Sequence, residues 1–137
     1  GIDKNAFSKS IEQAAEGAMN ENIVYTHLLL FANKNDKIFR YRDPDTREVD
    51  AVIVNRKAKT LRLIEVKSKS KIDDKRVFRN EAKHLYDNAV LKNIGIDTSF
   101  TITRVVVYSG ENREIPHAKG NLKLANIEEF LCRQGDL

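Results

Sequence analysis

Several features that define other classes of protein are scarce in this 137-residue sequence. A single cysteine, Cys132, provides neither an internal disulfide nor a cysteine-based zinc site, so we expect a reducing, cytoplasmic setting. Two prolines and six glycines exclude collagen-like and linker sequence. The longest apolar run, residues 28–32, is far shorter than the roughly 20 residues that span a bilayer. No basic segment followed by an apolar core opens the chain, so we expect neither a signal peptide nor membrane contact.

The common sequence motifs of cofactor and metal sites are also missing. The glycines form neither a Walker A loop nor a dinucleotide fingerprint. His27, His84 and His117 lack metal-ligand spacing, and the aromatic residues are too scattered to predict a base-stacking platform. No base accompanies Cys132, which we expect to lie in the core.

What remains is the composition of one charged globular domain. The mass is 15.7 kDa and 41% of the residues are hydrophobic, enough for a single core over residues 1–137. Gly1 before Ile2 resembles the remnant of a cleaved tag, so we expect a domain excised from a longer protein.

Positive charge is concentrated in the middle of the chain. Residues 37–79 contain 14 Lys and Arg against 7 Asp and Glu. Such a stripe is typical either of a nucleic-acid-binding face or, more often, of a solvated surface.

Periodicity predicts an α+β domain with a mixed sheet. The core order is α-β-β-β-α-β, with an extra helix at each end. The predicted helices are residues 5–16 (ended by Gly17), 18–33, 77–93 and 127–133, the strands are 38–42, 48–55, 61–67 and 102–109, and residues 110–120 form a loop. Asn126, followed three residues later by Glu129, is the predicted N-cap of the last helix.

The hairpin formed by the second and third strands brings charged residues together. If residues 56–59 form its loop, Asn55 pairs with Thr60 and Asp50 lies opposite Glu65. Opposed residues share a face about 5 Å apart, and Lys67 points to the same face. Opposed carboxylates repel each other, so they require a cation: either Lys67, in a buried salt-bridge cluster, or a divalent metal ion.

These residues also carry a family resemblance. Asp50 followed by Glu65-Val66-Lys67 resembles the Asp…Glu-x-Lys motif of the PD-(D/E)XK, restriction-endonuclease-like superfamily. From about residue 16 to 133 the chain is similar to the C-terminal domain of unknown function attached to many bacterial and archaeal AAA+-type ATPases. The matching segments are Tyr41-Arg42-Asp43, Arg47-Glu48-Val49-Asp50, Ile64-Glu65-Val66-Lys67-Ser68, Val105-Val106-Val107-Tyr108-Ser109-Gly110 and Ile127-Glu128-Glu129-Phe130-Leu131.

The resemblance implies metal-dependent hydrolysis of DNA. Asp50 and Glu65 would bind Mg²⁺ or Mn²⁺, with the Val66 carbonyl as a further ligand, and Lys67 would stabilise the transition state. Glu21 fits the acidic position on the superfamily's first core helix, although a glutamate in a first helical turn is equally typical of dipole stabilisation. The residues expected to hold the phosphate backbone are Arg42, Lys69, Lys71, Lys75 and Arg79.

Two functions stay open at this point. One is a divalent-metal-dependent nuclease acting on DNA. The other is a non-catalytic module of the same fold that binds nucleic acid or docks partners for the ATPase domain of its parent chain.

Overall fold

The computed structural model describes residues 4–133, and for residues 4–11, 13 and 14 the backbone alone. In this part of the chain, helical segments precede, separate and follow two groups of three strands, and the six strands form a single mixed sheet. The elements are α1 (Lys4–Leu30), β1 (Lys37–Arg42), β2 (Glu48–Asn55), β3 (Thr60–Val66), a 3₁₀ turn (Lys83–Tyr86), α2 (Asn88–Ile94), β4 (Thr101–Tyr108), β5 (Arg113–Ile115), β6 (Leu122–Asn126) and α3 (Ile127–Cys132).

The sheet of the described residues has six strands in the order β1-β2-β3-β4-β6-β5. β1, β2 and β3 form an antiparallel meander. β4 and β6 then add in parallel, and β5 closes the far edge in an antiparallel sense. The predicted α+β class with a mixed sheet, and its α-β-β-β-α-β core order, are confirmed.

Each face of the sheet is covered by an apolar cluster. On one face Val52 and Leu61 pack with Leu85 and Val90 of the segment between β3 and β4. On the other face Ile64 and Val105 pack with Val24 and Leu28 of α1 and with Phe130 of α3. Strands buried on both faces explain the unbroken Val and Ile runs of β2 and β4.

The predicted β2–β3 register is confirmed. Asn55 pairs with Thr60, and the same register continues to Ala51 and Ile64. Lys59 closes the turn in the left-handed region, with φ of 56°. The strands predicted from the sequence agree with β1 to β4 within one residue at either end.

The predicted break at Gly17 is wrong, because α1 runs without interruption from Lys4 to Leu30. A glycine inside a helix costs only about 1 kcal/mol relative to alanine. The missing side chain serves the packing, since a Cβ at Gly17 would lie 3.3 Å from Ser68 Oγ. Within residues 4–133 no helix is both long enough and apolar enough to cross a bilayer.

The predicted helix over residues 77–93 is also wrong. Turns and the 3₁₀ turn precede a separate α2, because Asp87 is extended (φ −83°, ψ 117°) and accepts a hydrogen bond from Ala89 N as the N-cap. Arg47 Nε donates to the same Asp87 side chain at 2.8 Å. The cap therefore starts a new helix where apolar periodicity alone predicted a continuous one.

The C-terminal part contains more strand than predicted. β5 lies inside the predicted loop 110–120, and β6 follows it with Leu122, Leu124 and Ala125 buried. Strands of three and five residues are too short for the sequence to show a clear alternation of apolar and polar residues, so they were not predicted. The last helix is confirmed, and Asn126 caps it by accepting from Glu128 N and Glu129 N.

Candidate functional site

Asp50 lies at a β-bulge in β2. Asp50 and Ala51 together lie opposite the single residue Arg40 of β1, so β2 carries one extra residue. The register on either side shows this, with the pairs Phe39–Val52 and Tyr41–Val49. Bulges occur often beside active sites, where they redirect a side chain.

The bulge shifts the alternation of β2. In a regular strand Val49 and Ala51 would face the same side. Here Val49 packs with Val52 in one apolar cluster, whereas Ala51 packs in the cluster beneath α1. The shift falls at Asp50, between two stretches of strand that are otherwise regular and buried.

The Asp50 carboxylate takes part in the backbone pairing of β3. Its Oδ2 accepts a hydrogen bond from Val66 N at 2.7 Å. The neighbouring Lys67 N donates to Val107 O of β4 at 2.8 Å, so the Val66 N–H points the opposite way, towards β2. A side chain thus replaces a backbone acceptor at the end of the β2–β3 ladder, and this bond fixes Asp50 beside Glu65.

Glu65 is almost fully buried, with 7% of its surface exposed. Its Oε2 lies 3.7 Å from Lys67 Nζ, while its Oε1 is buried without a hydrogen-bond partner among the described residues. Burial, and then the nearby charge of Asp50, raise the pKa of Glu65 to about 8 against the opposing effect of Lys67. Without a bound cation, Glu65 therefore holds a proton at neutral pH.

The pKa of Asp50 is also raised in this environment. Burial raises its pKa, although the hydrogen bond from Val66 N and the charge of Lys67 act in the opposite direction. A buried and a half-buried carboxyl group, both with raised pKa values, form beside one lysine a cluster that favours either a proton or another cation between them.

Glu21 of α1 lies near this cluster. It is half-buried, and its pKa is raised by burial and then by the charge of Asp50, while Arg40 and Lys67 lower it. Among residues 4–133, however, no three His, Cys, Asp or Glu side chains are grouped closely enough to hold a metal ion by themselves. The structure brings Asp50, Glu65 and Lys67 together with Glu21 at the margin, and the ligand role of Glu21 stays a prediction.

Arg40 is a neighbour of the site that sequence reasoning missed. Its guanidinium donates to Asn22 Oδ1 at 2.8 Å and lies 4.8 Å from the centroid of the Tyr25 ring. Its charge lowers the pKa values of both Asp50 and Glu21. Arg40 and Arg42 are two residues apart in β1 and flank Tyr41, which is the period of a polar strand face and the signal that the sequence offers.

The five residues expected to contact a phosphate backbone differ in their surroundings. Arg42 pairs with Glu48 at 3.0 Å on the exposed face of the β1–β2 hairpin. Lys69 pairs with Glu81 at 3.0 Å, and the Glu81 side chain is only 8% exposed. The exposed members without an acidic partner within residues 4–133 are Lys71, Lys75 and Arg79. These three are therefore the cations of the set that are most available to a ligand.

The remaining candidates have local explanations. His27 packs against Phe31, with ring centroids 4.8 Å apart, and His117 against Tyr86 at 3.9 Å. Cys132 is exposed, so its predicted core position is wrong. It lies in the last turn of α3, whose buried face is supplied by Phe130.

A comparison with protein-family models identifies the domain. Residues 16–127 match the family described as a domain of unknown function, DUF4143. No curated protein matches the chain. The match covers most of the chain, including the β2–β3 hairpin with Asp50 and Glu65.

Proposed function

The chain belongs to the DUF4143 family, and from that premise we propose that it is a PD-(D/E)XK-type nuclease-like domain that hydrolyses phosphodiester bonds of DNA with Mg²⁺ or Mn²⁺. The observation that carries the proposal is the adjacent pair of Asp50 and Glu65, with Asp50 Oδ2 fixed by Val66 N and Lys67 Nζ 3.7 Å from Glu65 Oε2. Two adjacent carboxyl groups away from bulk water are costly unless a proton or another cation lies between them.

The donor set fits a hard divalent cation. Asp50 and Glu65 offer carboxylate oxygens, which Mg²⁺ prefers, and Mg²⁺ commonly keeps water as its remaining ligands. The Val66 carbonyl and Glu21, whose pKa is raised in part by the charge of Asp50, are the further ligands we propose. When bound, a divalent cation would lower the pKa of a water molecule and offset charge on the scissile phosphate.

The surroundings of Lys67 support a role in transition-state stabilisation. Its ammonium lies 3.7 Å from Glu65 Oε2, and its side chain is 37% exposed, so it borders both the carboxyl pair and the solvent. In our proposal Lys67 Nζ donates to the attacking water and to a phosphate oxygen as negative charge develops there.

The substrate's backbone would be held by the basic segment that follows β3. Lys71, Lys75 and Arg79 are exposed and belong to the segment that leaves the Glu65–Lys67 end of the strand. We assign Arg42 and Lys69 a smaller share, since each already has a carboxylate partner.

A second function is favoured by a different observation. No three acidic, histidine or cysteine side chains of residues 4–133 are grouped for metal binding, and Lys69 is paired with Glu81. A non-catalytic module of this fold, which binds nucleic acid or docks partners for a AAA+-type ATPase in the same parent chain, would need neither a third ligand nor a free lysine. Under either function we propose a cytoplasmic protein.

Calorimetric titration of Mg²⁺ or Mn²⁺, beside a DNA-cleavage assay, tests the first function against the second. Asp50→Asn keeps an oxygen for the Val66 N–H and Glu65→Gln keeps the shape, so both variants should fold yet lose metal binding and cleavage. Glu48→Gln changes an exposed glutamate of the same strand and is the matched control. If the unmodified domain binds neither metal, the nuclease proposal is wrong. Normal DNA binding without metal binding would support the non-catalytic module.

A further inference from the structure

Arg40 of β1 faces the bulge across the β1–β2 pairing. Asp50 and Ala51 together lie opposite it, so its backbone adjoins that of Asp50. Burial raises the pKa values of Asp50 and Glu21, and the charge of Arg40 acts in the opposite direction on both. The guanidinium therefore lies within electrostatic reach of two carboxyl groups of the site.

The Arg40 side chain is held in place without being neutralised. Its Nη2 donates to Asn22 Oδ1 at 2.8 Å, and its guanidinium carbon lies 4.8 Å from the centroid of the Tyr25 ring. Both partners belong to α1 and are uncharged, and no carboxylate of residues 4–133 pairs with Arg40. Arg42, two residues further along β1, has a carboxylate partner. Arg40 is exposed, so it presents a positive charge to the solvent beside the site.

A guanidinium held in this way is suited to a phosphate group. Arginine has five N–H donors in a planar fork, which matches the oxygens of a phosphate. Asn22 occupies one of these donors, and the ring of Tyr25 supports the face of the guanidinium. The remaining donors are therefore oriented before a ligand arrives, which lowers the entropic cost of binding.

Arg40 and the basic segment after β3 lie on opposite faces of the sheet. Arg40 contacts α1, which covers one face. The segment that contains Lys71 and Lys75 packs on the other face through Val77. Asp50 lies between these two sources of positive charge, at the end of the β2–β3 ladder. A phosphate backbone that contacts both therefore crosses this end of the sheet past Asp50.

We propose that Arg40 binds the phosphate group next to the scissile one, on the α1 side of the site, and that Asn22 and Tyr25 position its guanidinium. The inference rests on the proposed function in one respect, because the site must receive a phosphodiester backbone. It adds the path of that backbone, which runs from Arg40 past Asp50 to the basic segment after β3. If Arg40 only fastened α1 to β1, it would contribute to stability and not to DNA binding.

Fluorescence anisotropy with a labelled DNA duplex, at several salt concentrations and with a chelator present, measures this contact without cleavage. Arg40→Gln should lower the slope of log K against log salt by about 0.9, the value for one phosphate contact. Arg40→Lys and Asn22→Ala keep the charge and should keep the slope, but they should bind DNA several-fold more weakly because the oriented fork is lost.

Arg56→Gln is the matched control. Arg56 is also an exposed arginine held by uncharged acceptors, the carbonyls of Ile94 and Gly95, but it lies at the other end of the β2–β3 hairpin. Its replacement should leave the slope unchanged. An equal fall in slope for Arg56→Gln and Arg40→Gln would overturn the inference, because it would show an effect of net charge alone.

Cleavage kinetics with Mg²⁺ separate this inference from the proposed function. Arg40→Gln should raise KM about tenfold and leave kcat nearly unchanged, because a neighbouring phosphate is bound equally in the ground and transition states. Cleavage by the unmodified domain with an unchanged slope for Arg40→Gln would refute the inference alone. A lowered slope in a domain that cleaves no DNA would refute the nuclease proposal and support the role of Arg40. A domain that binds no DNA would overturn both.

Discussion

Replacing Glu65 by glutamine should make the domain without metal more stable at neutral and alkaline pH. The folded chain holds a proton on Glu65 up to a pKa of about 8, whereas the ordinary value for a glutamate is 4.5. The stability that depends on this proton is therefore complete below pH 4.5 and is lost as the pH rises towards 8. Glutamine keeps the shape and has no proton to lose.

The size of the effect follows from the same pKa. Each unit between 4.5 and about 8 is equivalent to roughly 1.4 kcal/mol. Between pH 5 and pH 8, the Glu65→Gln variant should therefore gain about 3 kcal/mol in unfolding free energy relative to the unmodified domain. That is a large share of the roughly 5–15 kcal/mol that holds a typical domain folded.

Urea denaturation at pH 5, 7 and 8 with a chelator present measures this difference. Glu48→Gln, an exposed replacement on β2, should follow the pH dependence of the unmodified domain. A Glu65→Gln advantage that stays constant from pH 5 to pH 8 would refute the reasoning, because it would show that Glu65 does not carry a proton that the unfolded chain loses.

Three further results are expected. Because Glu65 is largely protonated at pH 7, Mg²⁺ binding should release a proton, seen as a dependence of the calorimetric heat on the buffer; no release would contradict the raised pKa of Glu65. Lys67→Ala should retain or tighten Mg²⁺ binding at pH 9, yet lower the rate of DNA cleavage by about 10²–10³-fold; unchanged cleavage would exclude it from catalysis. Lys71→Ala with Lys75→Ala should reduce the salt dependence of DNA binding by a slope of about 1.8 in log K against log salt. Lys69→Ala should reduce it less, because Glu81 already balances that charge.

The central hairpin was predictable because its register depends on local sequence. Four polar residues between two apolar runs set the pairing of Asn55 with Thr60, and this register predicted the approach of Asp50 to Glu65. The alternation of buried residues then determines which side chains share a face. No long-range information was required.

The bulge at Asp50 could not be predicted in this way. It arises in the pairing of β2 with β1. Because β2 is apolar on both faces, a single inserted residue does not change the apolar pattern of its sequence. The same holds for α1 at Gly17, where the neighbour that makes a glycine favourable, Ser68, lies 51 positions further along the chain. Tertiary contacts decide both cases, and neither contact is visible in a local window.

The order of the strands along the chain has a consequence for how the domain folds. β1, β2 and β3 are contiguous over residues 37–66 and join through short turns, so their pairing closes only small loops. β4 must instead return to β3 across residues 67–100, and parallel pairing over such a distance is slow. The meander, which already contains Asp50 and Glu65, can therefore form first. The burial that raises the pKa of Glu65 is completed only when β4 adds beside it, so uptake of the Glu65 proton would belong to the later steps of folding.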